Sequence, residues 1–166
     1  MRGASTPTGL MVAPGINGKM SELHAALGLA QLESVAVEIA KRKQIALLYN
    51  RRLGQEPGLT VPIFDTEEVE SNYAYYPLRI DGEQFGLSRD GLHEQLQRLN
   101  VFARRYFYPL CSVSDWCYVA PGHLPHAERA AQQMLCLPLY GSLALEHATT
   151  ICDAIVQLGA LARSMS

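Results

Sequence analysis

Apolar side chains recur, mostly three or four positions apart, at Leu23, Leu27, Ala30, Leu32, Val35, Ile39, Ile45 and Leu48. That spacing marks one side of an α-helix and predicts that this side is buried. Almost no helix breaker intervenes between Ser21 and Gly54, and Arg51 and Arg52 stand in the last turn, where cations meet the negative end of the helix dipole. Gly54 and Pro57 then stop the helix. About thirty residues at 1.5 Å each give roughly 45 Å, the width of a small domain, so such a helix must bridge two bodies or pack on a partner.

Beyond it the pattern changes period. Leu59 to Val61 reads as a short strand before Pro62, and residues 65–70 as an acidic loop. Asn72 to Ile80 is aromatic and β-branched, hence a strand, with Pro77 pointing to an edge position or a bulge and Asp81-Gly82 to a turn. Ser88 caps a helix from Arg89 to about Leu99, with Asn100 closing it. Val101 to Tyr108 is the next strand, residues 111–125 a surface loop, Ala127 to Gln133 a short helix and Cys136-Leu137 a brief strand closed by Pro138. Leu143 to about Arg163 forms a last amphipathic helix carrying Ile151, Ile155, Leu158 and Leu161. The order predicts an α/β chain of the α+β kind: a long helix and a small, mostly antiparallel sheet with helices packed on it. The expected organisation is 1–13 as a tail or short edge strand (Leu10-Met11-Val12), 14–54 as glycine turn and long helix, and 55–166 as the small domain.

A formal net charge of −2 argues against a nucleic-acid face. The reading expects no membrane span and no leader, hence a cytoplasmic chain. Cys111, Cys117, Cys136 and Cys152 lack short knuckle spacing and read as reduced thiols, and His24, His93, His123, His126 and His147 show no metal spacing; no metal site is expected.

Two stretches could carry chemistry. Gly15-Ile16-Asn17-Gly18 lets backbone N–H groups converge at the positive end of a helix, an anion site in the making; equally, Asn17 caps the helix without any ligand. In Arg104-Arg105-Tyr106-Phe107-Tyr108 strand alternation places Arg104, Tyr106 and Tyr108 on one face. A guanidinium fork with two phenols suits a sugar diphosphate, while a half-buried strand with solvated charges is the plain alternative. Tyr73, Tyr75 and Tyr76 read as sheet packing.

Three segments in order, GINGKMSELHAALGLAQLE with the KRKQIALLYNRRL run after it, NVFARRYFYPL and LCLPLYGSL, resemble the DegT/DnrJ/EryC1/StrS family of pyridoxal-phosphate (PLP) sugar aminotransferases. Within the family they look most like the branch that aminates 4-keto-6-deoxy sugars on nucleotide carriers. The resemblance spans about Pro14 to Leu161 and implies the small C-terminal domain of a fold-type-I aminotransferase. It implies that Asn17 reaches the PLP phosphate of a neighbouring subunit, and that Arg104, Tyr106 and Tyr108 line the sugar-nucleotide pocket. In the family the Schiff-base lysine lies in a stretch ahead of the glycine turn that this sequence does not contain, and the position of Lys19 is an ordinary Lys or Arg. No catalytic residue is therefore assigned. The expected function is that of a C-terminal fragment of an enzyme moving an amino group from glutamate to a nucleotide-linked keto-deoxysugar, inactive alone and binding no PLP by itself. Its expected partners are a nucleotide-linked sugar and either a second copy or a missing large domain. The alternative is a non-catalytic sugar-nucleotide-binding or dimerisation module.

Overall fold

A single helix, α1 (Glu22–Leu53), fills the first described stretch of the chain. The computed structural model describes residues 18–106, 108–110, 112, 120 and 122–165. They fall into two compact units, Met1–Ala36 and Val37–Ser166. In the first, Ser21 Oγ accepts from the backbone N–H of His24 at 3.3 Å. Leu23, Leu27, Leu29 and Leu32 are all more than half exposed there. The expectation of a side buried along the whole helix therefore fails for these turns, because the described part of that unit is helix alone. α1 is also long and apolar enough to meet the length-and-composition test for a membrane span, contrary to the sequence reading. Core helices of non-membrane proteins pass the same test.

In the second unit the same periodicity meets a core. Ile45, Ala46, Tyr49 and Leu53 are buried at helical spacing. They pack with a three-stranded antiparallel sheet of order β1 (Leu59–Thr60), β2 (Tyr76–Ile80) and β3 (Met134–Leu137). Along β2 the odd and even positions part: Tyr76, Leu78 and Ile80 are buried, as the period of two requires. Pro77 was expected at an edge, yet β2 is the middle strand. The proline is tolerated because β1 pairs only with Arg79 and Ile80, leaving Pro77 paired on the β3 side alone, opposite Cys136.

The helices close the core. Asp81 does not merely turn the chain; its carboxylate accepts from Glu83 and Gln84 N–H groups and caps the one-turn α2 (Gly82–Phe85). Gly86 ends α2 at φ +90°, where a Cβ would also meet Ala162 and Arg163 at 3.0 Å. Ser88 caps α3 (Arg89–Arg98), Oγ accepting from Gly91 N–H at 3.1 Å, as the sequence predicts. Asn100 follows at φ 60°. α4 (Pro125–Gln133) leads into β3, and α5 (Leu145–Ser164) buries Ala148, Ile151, Cys152 and Ile155, whereas Leu161 is exposed. Leu92 and Leu96 of α3 join them. Each such side chain contributes about 1.5–3 kcal/mol relative to an exposed one. The expected edge strand at Leu10-Met11-Val12 lies outside the described residues.

Candidate substrate site

The strand expected over residues 101–108 is reduced to one bridge. Arg104 N–H donates to Cys136 O at 2.9 Å and Cys136 N–H to Arg104 O at 2.8 Å. This sets Pro77, Cys136 and Arg104 in one row across the sheet, with side chains on the face away from the core. Alternation holds up to that bridge, where Ala103 is buried while Phe102 is 65% exposed and Arg104 is exposed, and it stops there, since Arg105 is exposed as well.

Phe102, Arg104 and Tyr106 thereby line one wall of a cavity of about 310 Å³. The consecutive residues Cys136 to Tyr140, with Ala74 and Tyr75, complete its lining. Arg104 Nη1 donates to the Tyr106 phenol oxygen at 2.8 Å, which raises the guanidinium above its ordinary range. Tyr75 meets the Tyr106 ring edge-on, centroids 5.3 Å apart. Behind the wall, the Tyr49 hydroxyl of α1 donates to Pro138 O at 3.0 Å, and Tyr76 donates to Asn50 Oδ1 at 2.7 Å. Burial, above all, pushes both phenols up, so they stay protonated struts. Burial also pushes the Cys136 thiol up to about 11, so the cavity wall presents no thiolate at neutral pH. A second cavity of about 410 Å³ shares Phe102, Pro138 and Tyr140 with the first.

The residues proposed from sequence separate. Arg104 and Tyr106 stand together in the cavity. Tyr108 does not follow, because no strand continues past Arg104; its ring lies 5.7 Å from both Arg89 and Arg105 instead. Asn17 lies outside the described residues. Tyr73 and Tyr76 are core packing, as expected, but Tyr75 is 52% exposed and faces the cavity. Sequence reasoning missed Phe102 and Tyr140. Extending the alternation back two places from Arg104 finds the first, and LCLPLYGSL contains the second.

The arrangement offers a cation, three phenols and apolar walls, fit for an anion joined to a ring. A family model described as the DegT/DnrJ/EryC1/StrS aminotransferase family matches residues 3–156. The chain belongs to that family. DegT/DnrJ/EryC1/StrS relatives include the dTDP-4-amino-4,6-dideoxy-D-glucose transaminase of Escherichia coli, 42% identical over 80% of this chain and 36% of its own length. The dTDP-4-dehydro-2,3,6-trideoxy-D-glucose 4-aminotransferase of Saccharopolyspora spinosa is 30% identical over 80% of this chain and 33% of its own. Among solved structures, DesI in the presence of its TDP-sugar product superposes with a TM-score of 0.80 at 28% identity, over 96% of this chain and 40% of that one. The aminotransferase TlmJ from Streptoalloteichus hindustanus gives 0.76 at 30% identity, over 92% and 40%. The fold is thus a PLP-aminotransferase fold matched in part, and the chain spans well under half the length of these relatives.

Proposed function

We propose that these residues are the substrate-side portion of a sugar-nucleotide aminotransferase that moves an amino group from glutamate to a nucleotide-linked keto-deoxysugar, working in the cytoplasm as a dimer. The observation that carries this reading is convergence: Phe102, Arg104 and Tyr106 meet Cys136 to Tyr140, some thirty residues later, in one cavity. Arg104 would pair with a phosphate through its fork, and the contacting Tyr75–Tyr106 pair would offer the sugar one aromatic surface. Tyr108 would serve from outside the cavity.

PLP, when bound, supplies the electron sink for amino transfer. The described residues do not fit it. Its anchoring lysine must be buried or crowded by cations to lower its pKa, whereas Lys41 is bound to Glu38 at 2.8 Å, Lys43 to Asp65 at 2.7 Å, and Lys19 is exposed. No step through the cofactor is assigned to them, and the proposal is that the 166 residues bind substrate without turning it over. A second reading, a dimerisation or binding module, is favoured by the exposed apolar residues Leu23, Leu27, Leu29 and Leu32. Adding PLP and following the visible absorbance of an imine tests the first. No imine, with a raised melting temperature in thymidine-diphosphate sugar, is expected; an imine lost in Lys19→Ala would overturn the reading.

A further inference from the structure

Arg89 is a cation at the wrong end of a helix. It is the first residue of α3, where the backbone dipoles already place positive potential. Its side chain is 3% exposed, and it is the one charged residue buried among the described residues. A buried charge persists only with close partners, so the partners indicate what it serves. Nε donates to Asp90 Oδ1 at 2.8 Å, and Nη1 donates to the carbonyl of Met134, the first residue of β3, at 3.0 Å. The guanidinium carbon lies 5.7 Å from the centroid of the Tyr108 ring.

Arg105 completes the group. Its Nη1 donates to the same Asp90 Oδ1 at 3.3 Å, and its guanidinium also lies 5.7 Å from the Tyr108 ring. One carboxylate thus joins two cations that both hold one ring. Met134 fixes Arg89 to β3, and two residues along that strand Cys136 pairs with Arg104. Arg104 is tied to β3 by its own backbone; Tyr108, four residues later, is linked to the same strand through Arg89.

We propose that Arg89 is a positioning residue for the cavity: acting through Tyr108, it fixes the far end of the segment that presents Arg104 and Tyr106. The inference rests on reading the cavity as a nucleotide-sugar site. Lysine cannot replace it, since a single ammonium lacks the planar fork that reaches Asp90 and Met134 while lying near the ring.

The test uses the full chain with ¹³C-labelled tyrosine and thymidine-diphosphate glucose, comparing Arg89→Gln, Arg89→Lys, Tyr108→Leu, the Arg89→Gln/Tyr108→Leu pair, and Ile155→Val as a core control. Both Arg89 variants are expected to move the Tyr106 ring resonance in the ligand-free chain and to weaken calorimetric affinity about tenfold. Ile155→Val should lower the melting temperature and move neither readout. In the Tyr108→Leu background, Arg89→Gln should add less than about twofold. Where Arg89→Gln does not fold, Arg89→Lys carries the comparison. An unmoved Tyr106 resonance with unchanged affinity, or a full tenfold loss without Tyr108, would overturn the assignment. Should the unaltered chain fail to bind the nucleotide sugar, the cavity reading falls, and the ligand-free Tyr106 resonance still decides the positioning claim.

Discussion

On one face of the sheet Tyr76, Leu78, Ile80 and Leu135 are sealed among side chains of α1, α3 and α5, whereas on the other Tyr75, Phe102, Arg104 and Tyr106 stand around a cavity. The two faces share strands and differ by one residue of register, so Tyr75 and Tyr76 are neighbours in sequence with opposite surroundings. Among the described residues no buried side-chain nitrogen or oxygen lacks a partner, and on the sealed face Tyr76 is spent on Asn50, Asn50 on Pro62 O and Tyr49 on Pro138 O. The open face keeps a guanidinium and exposed aromatic rings. That asymmetry separates the face that carries stability from the face to which the proposed function assigns recognition.

The largest effect should come from the sealed face. Leu78→Ala removes a fully buried side chain and is expected to cost about 2–5 kcal/mol in urea denaturation, while Phe102→Ala on the open face should stay within about 0.5 kcal/mol. Equal losses would erase the comparison. Tyr76→Phe leaves Asn50 Oδ1 without its 2.7 Å donor and should cost about 1–3 kcal/mol by the same measurement.

A smaller effect is expected at Asp65, which accepts from Lys43, Tyr73 and Ser71 and ties a loop to α1. The Lys43 hydrogen bond, first among these, lowers its carboxyl from 3.8 to about 2. A depressed carboxyl contributes stability that is complete above the unfolded value of 3.8 and is lost as pH falls through about 2. Acid denaturation of Asp65→Asn should therefore show a shallower stability loss between those values; an unchanged profile would remove the clamp. Smallest of all, Leu27→Ser on the exposed turns of α1 should alter stability by no more than about 0.5 kcal/mol.

Much of this was legible beforehand, for identifiable reasons. Ser88 announced its helix because a hydroxyl before an apolar-periodic run caps it, and β2 announced itself by alternation. α2 was not legible, because a four-residue helix has no periodicity to detect and Asp81-Gly82 serves equally in a turn. Arg104 and Tyr106 were reached by alternation, which then misplaced Tyr108 once pairing stopped at a single bridge. Arg89 was read only as the first residue of its helix; its burial comes from long-range contacts to Met134 and Tyr108 that no local pattern carries. Pro77 misled because its neighbour β1 is too short to reach it.

The central claim is that the open face holds a charged ligand through Arg104. Isothermal calorimetry of thymidine-diphosphate glucose with the unaltered chain and with Arg104→Met measures it directly. Affinity should fall about tenfold or more in Arg104→Met with no change in melting temperature of the free chain. Equal affinity in the two chains would contradict the account.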